Sequence, residues 1–201
     1  MPQTDYGLVG PHVVLPHSIT EPVPDSMRVI DLAMGCFWGA ERLMWSLPGI
    51  WTTAVGYEGG DAEYPSYREV CGGRTGHAET VRVVFDPAQT GLADILRAFF
   101  DNHDPTQGMR QGNDVGEQYR SVIFPSSTKD LEVACAIRDA YGEALAAQGF
   151  GPVTTEVAPV DPTRMFWLAE DYHQQYLAKN PDGYCGLGGT GVSCPMPPAR
   201  R

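Results

Sequence analysis

The 201-residue chain has no Lys or Arg before Arg28 and no Cys-x-x-Cys pair. Nowhere does it approach the run of roughly 18 apolar residues that spans a bilayer. Basic residues are scarce, 14 Lys and Arg against 25 Asp and Glu, for a formal net charge of −11. That balance argues against a nucleic-acid partner, which requires a basic face. With no basic stretch ahead of an apolar one, no secretory signal is expected, and the cytoplasm is the expected compartment. Cysteines there are normally thiols. The five present (Cys36, Cys71, Cys135, Cys185 and Cys194) are odd in number and too few for a disulfide scaffold, which leaves chemistry, metal binding or packing.

Glycine and proline are abundant instead, 23 and 17 residues, which predicts many turns and shaped loops, not a helical bundle. Residues 1–27 are proline-rich without helical period and read as an extended arm. Val29 to Ala33 read as a buried strand ending at Gly35, and Phe37–Leu47 as a helix stopped by Pro48-Gly49. Ile50–Tyr57 is strand-like. Val81, Val83 and Phe85 alternate with Thr80 and Arg82, the pattern of a half-buried strand. Leu92–Asn102 reads as a helix, 104–118 as a long Gly-rich loop, and Tyr119–Phe124 as a strand. Thr128–Gln148 is a helix capped by Ser127, Val153–Val157 is strand-like, and Met165–Ala178 reads as a last helix. The β-α-β-β-α-β order matches a two-layer α+β fold of ferredoxin-like (split βαβ) type, with helices on one face of a mostly antiparallel sheet. The expected organisation is an arm over 1–27, a catalytic domain over 28–182, and a mobile Gly-rich tail over 183–201 that carries Cys185 and Cys194.

Cys36 falls where a strand ends and a helix begins, so its sulfur meets free N–H groups and the positive end of the helix dipole, which favour thiolate. A buried structural cysteine fits the same place. Gly76-His77-Ala78-Glu79 sets a carboxyl group at a strand entry, where apolar walls can keep it protonated as a proton donor. A satisfied polar pair at a strand edge is the plain alternative. His-x-Glu also opens the zinc-deaminase signature, but without Cys-x-x-Cys its metal ligands are missing. A zinc site from Cys71, His77, His103 and His173 has no support in the spacing. A Cys–His hydrolase, with Cys36 as nucleophile and His77 as base, is a rival reading. Tyr67 and Tyr119 flank the sheet with hydroxyls to offer. Cys71 and Cys135 read as bystanders, Cys135 packed among Leu131, Ala134 and Ile137.

Four separated segments together resemble the class A methionine sulfoxide reductases. They are Met34-Gly35-Cys36-Phe37-Trp38-Gly39-Ala40-Glu41; Tyr67 to Cys71 with Gly76 to Glu79; His103-Asp104-Pro105 through Asp114 to Ser121; and His173 to Leu177. Gly183-Tyr184-Cys185-Gly186 matches members with two recycling cysteines. The resemblance implies that Cys36 attacks the sulfoxide sulfur and that protonated Glu79 gives its proton to the oxygen. It implies that Tyr67 and Tyr119 stabilise that oxygen, that Phe37 and Trp38 pocket the S-methyl group of the S-epimer, and that Asp114 supports the site. The sulfenic acid on Cys36 would pass to a Cys36–Cys185 disulfide, then to Cys185–Cys194, for reduction by thioredoxin or a similar dithiol. The implied role is repair of oxidised methionine, free or in proteins, with no cofactor, metal or membrane.

Overall fold

A computed structural model describes residues 9–195; residues 1–8 of the expected arm and 196–201 of the expected tail lie outside the described residues. Six strands form the main sheet: β1 (Arg28–Met34), β2 (Ile50–Glu58), β3 (Ala78–Phe85), β6 (Ser121–Phe124), β7 (Glu156–Val157) and β8 (Trp167–Leu168). Their order is β7-β6-β1-β3-β2-β8, antiparallel except between β6 and β7. The central four, β6-β1-β3-β2, make the split βαβ arrangement expected from the sequence. Strands β4 (Arg110–Gln111) and β5 (Asp114–Val115) form a small separate hairpin.

Helices α1 (Phe37–Trp45), α3 (Leu92–Asp101) and α4 (Thr128–Ala147) bury Met44, Phe99, Ile137 and their neighbours in one core with Leu32, Val81 and Ile123 of the sheet. Ser127 caps α4 by accepting from the Asp130 N–H at 3.2 Å, as expected. On the opposite sheet face a smaller cluster joins Ala33, Val122, Phe124 and Ala158.

Three expectations need correction. Strand β3 is not half-buried: only Arg82 keeps partial access, because β3 is central and Arg82 pairs bidentately with Asp31 of β1 at 2.6 and 2.9 Å. A short helix, α2 (Tyr67–Cys71), stands where none was expected, closed by a reciprocal Ser66–Glu69 capping box. The last helix is not Met165–Ala178. Trp167 pairs with Tyr57 in the sheet, Asp171–His173 make a 3-10 turn, and only α5 (Tyr176–Lys179) is α-helical. Gln174 supplies the reason: its side chain accepts from the Val55 N–H at 2.9 Å and donates to the Val55 and Ala169 carbonyls at 2.8 and 2.9 Å. These bonds over a long sequence span replace the local helical ladder.

Candidate active site

Strand β1 delivers Cys36 to the start of α1 through Gly35, whose φ of +97° and contact with Gln111 leave no room for a side chain. Cys36 occupies the N-cap position and is buried. The amides of Trp38 and Gly39 point at its sulfur, while the Phe37 N–H donates to Glu79 Oε2 at 3.0 Å. The free donors of one helix end are thus divided between a thiol and a carboxyl group. Burial, then the Glu79 charge, pushes the Cys36 thiol far above its usual range, with the two amides pulling the other way. The helix terminus acts as the sequence suggested, but burial outweighs it. Burial also lifts Glu79 to about 8, opposed by the Phe37 amide and reinforced by the Asp114 charge. At neutral pH Glu79 is therefore a carboxylic acid, and its electrostatic opposition to the neighbouring sulfur is relieved.

Phe37 is buried, 5.0 Å from the His173 ring, and Trp38 is stacked on Tyr176 at 3.9 Å. The Trp38 indole N–H donates to His173 Nδ1 at 3.0 Å. That bond places the histidine proton on Nε2, which is buried without a hydrogen-bond partner, 3.9 Å from Glu170. Burial lowers His173 to about 4, so the ring is neutral. Glu170 accepts from the Tyr57 hydroxyl at 2.8 Å and from the Tyr67 N–H at 2.9 Å. Burial first, with the charge of Glu79 in support, raises the Tyr67 and Tyr119 hydroxyls. Both remain proton-bearing donors. Cys71, four residues on, adds to the rise at Tyr67. Asp114, on β5, accepts from the Tyr184 hydroxyl at 3.1 Å.

Cys36, Phe37, Trp38, Tyr67, Glu79, Asp114 and Tyr119 are therefore gathered in one place. Cys185 stands at its edge: Arg42 of α1 donates to its sulfur at 3.0 Å, and that sulfur sits 3.0 Å from where a Cβ on Gly39 would be. Cys194 is elsewhere. It is buried against the end of α3, its N–H donating to Asp101 Oδ1 at 2.6 Å, and burial raises its thiol to about 12. All five cysteines are free thiols.

His77 serves structure: Nε2 bonds the Ala62 carbonyl at 2.8 Å and Nδ1 accepts from the Gly60 N–H at 3.1 Å, leaving no nitrogen for a base. Among the described residues no group of three or more His, Cys, Asp or Glu side chains could hold a metal ion. Sequence reasoning left Glu170 out, and assigned His173, Tyr176 and Tyr184, though they lie in the family segments, no place in the pocket. A usable signal existed, since a tryptophan packed into a pocket wall calls for an acceptor for its indole N–H.

Comparison with known proteins places these residues in context. A family profile described as peptide methionine sulfoxide reductase matches residues 28–190. The chain is 58% identical to the peptide methionine sulfoxide reductase MsrA of Brucella ovis over 186 residues, covering 92% of this chain and 84% of the relative. Identity to the protein of the same name from Azorhizobium caulinodans is 58% over 185 residues, with the same coverages. Among solved structures, methionine sulfoxide reductase A of Corynebacterium diphtheriae superposes with a TM-score of 0.79 at 43% identity, over 98% of this chain and 100% of that one. Mxr1 from Saccharomyces cerevisiae in reduced form gives 0.73 at 37% identity, over 81% of this chain and 91% of its own.

Proposed function

The chain belongs to the peptide methionine sulfoxide reductase family, and from that membership we propose that it reduces the S-epimer of methionine sulfoxide through a sulfenic acid on Cys36. It is an oxidoreductase acting on methionine sulfoxide. In the proposed reaction the S-methyl group sits between Phe37 and Trp38. Glu79 gives its proton to the sulfoxide oxygen, which Tyr67 and Tyr119 hold by hydrogen bonds. Protonation draws electrons from the sulfoxide sulfur, and Cys36, passing its own proton to the vacated Glu79 carboxylate, attacks that sulfur as thiolate. The hydroxyl then shifts to the Cys36 sulfur as the transient S–S bond breaks. The oxygen ends on Cys36: sulfoxide plus thiol gives methionine plus sulfenic acid. Asp114 supports the pocket through Tyr184.

The Cys185 thiol then condenses with the sulfenic acid, releasing water and forming a Cys36–Cys185 disulfide. Attack by Cys194 on Cys185 frees Cys36 and leaves Cys185–Cys194 for an external dithiol such as thioredoxin. Each transfer needs Cα atoms within about 7 Å, so residues 186–194 must leave their place against α3 and α4.

One observation carries this reading: a buried Glu79 shares the α1 terminus with Cys36, and burial lifts its carboxyl to about 8. The rival hydrolase lacks a base, because both His77 nitrogens are engaged. The test is Cys36→Ser, expected to abolish methionine formation with the circular dichroism spectrum intact. Turnover at the wild-type rate would refute the assignment.

A further inference from the structure

Helix α1 presents two residues one turn apart on a single face, Trp38 and Glu41. The segment 173–176 spans both. His173 and Tyr176 hold the Trp38 indole by its N–H and by its face. Gln175, between them, adopts φ +48° and ψ +40°, a left-handed conformation that is strained for a non-glycine residue. That conformation persists because Glu41 holds both ends of the residue: Oε2 accepts from the Gln175 N–H and Oε1 from its Nε2, each at 2.8 Å. Glu41 is fully buried. No part of the proposed sulfoxide chemistry uses it.

Its third donor leads out of the domain. The Thr53 hydroxyl, on β2, donates to Glu41 Oε1 at 3.0 Å, and His12 Nε2 lies 3.0 Å from that same hydroxyl. His12 Nδ1 accepts from the N–H groups of Val14 and Leu15, so its proton is on Nε2. His12 therefore donates to Thr53 and turns the Thr53 proton towards Glu41. The arm makes a second contact at the turn that leads into that segment, where the Gly10 N–H donates to Asp171 Oδ1 at 2.9 Å.

We propose that Glu41 is a positioning residue for the sulfoxide pocket, and that the N-terminal arm joins in that positioning through the chain His12–Thr53–Glu41–Gln175. The proposal rests on the reading of Trp38 as a wall of that pocket. With the chain intact, Gln175 stays left-handed and the His173–Tyr176 clamp fixes the indole. With it broken, Gln175 relaxes and the wall tilts, weakening substrate binding more than the chemical step.

The experiment compares three variants that avoid emptying the Glu41 site. Thr53→Val removes the hydroxyl but keeps the volume; Thr53→Ser keeps the hydroxyl; His12→Asn keeps an acceptor for Val14 and Leu15 but cannot reach Thr53. Steady-state kinetics with methionine sulfoxide give KM and kcat. The Trp38 indole ¹H–¹⁵N resonance, assigned by its loss in Trp38→Phe, reports the clamp independently of activity. The expected result for Thr53→Val and His12→Asn is a KM raised by about tenfold, kcat within about twofold, and a displaced indole resonance. Thr53→Ser restores both. Wild-type KM and indole position in Thr53→Val and His12→Asn would overturn the proposal, even if both melt earlier. Trp38→Ala separates the two levels of the argument. If it raises KM while Thr53→Val does not, the positioning chain alone falls; if it leaves KM unchanged, the pocket reading falls as well.

Discussion

Cys36 and Cys194 are both buried thiols whose ionisation burial suppresses, yet their surroundings are built for opposite ends. Cys36 is held by regular structure on every side: β1 before it, α1 after it, β3 carrying Glu79 against its neighbour's amide. Two amides oppose the suppression and wait for substrate to shift the balance. Cys194 lies on irregular chain, tied by its N–H to Asp101, with the Tyr141 hydroxyl donating to the nearby Val192 carbonyl at 3.1 Å. Only Arg97 favours its thiolate. In the proposed cycle a nucleophile is thus preorganised and then switched, whereas a recycling thiol is stored inert and released. Cys185 stands between the two, beside α1 and half-exposed.

That contrast is most sharply tested at the preorganised end. Glu79→Gln removes the proton donor and should lower the rate of Cys36 oxidation by about 10²- to 10⁴-fold. The pH dependence carries a sign. Because the Glu79 carboxyl is raised to about 8, it holds its proton below that pH and loses it above. The wild-type rate should fall as pH rises through about 8, doubly so because the charged carboxylate then opposes the Cys36 thiolate. A stopped-flow profile of the first turnover checks this, and the Gln variant should lack that limb.

Smaller, and later in the cycle, is the effect of Cys185→Ser. One methionine should form per enzyme in a single turnover at an unchanged rate, while thioredoxin-driven steady-state turnover falls by about tenfold or more. Quenched-flow product counting separates the two. The smallest effect belongs to the docking of the tail. Asp101→Asn removes the charged acceptor of the Cys194 N–H and the carboxylate that suppresses its thiol. The neutral amide keeps an acceptor oxygen for that N–H but without the charge, and the weaker bond should speed iodoacetamide labelling of Cys194 several-fold. Labelling of Cys36 should not change, as peptide mapping would show.

The preorganised region was also the more legible in the sequence. Periodicity and capping located β1, α1, α3 and α4, and a cysteine at a strand-to-helix junction marked the proposed nucleophile. The Ser66–Glu69 box announced α2 but was passed over. The segment from Met165 to Ala178 misled because its apolar spacing is helical. What prevents the helix is the pull of Gln174 on Val55 and of Gln175 on Glu41, contacts with elements more than a hundred positions away. The contacts of His173 and Tyr176 with Trp38 were hidden for the same reason. Strand β3 misled in another way: Arg82 reads as solvent-facing until Asp31 is placed beside it by the strand register. That Glu79 is buried enough to keep its proton depends on the covering residues, which spacing along the chain does not show.

The central claim is oxygen transfer to Cys36, and it is tested most directly in the Cys185→Ser/Cys194→Ser variant treated with one equivalent of ¹⁸O-labelled methionine sulfoxide. Mass spectrometry should find one ¹⁸O atom on the peptide containing Cys36, with an equal amount of methionine released. Methionine formed with no label on that peptide, or label on another cysteine, would contradict the account.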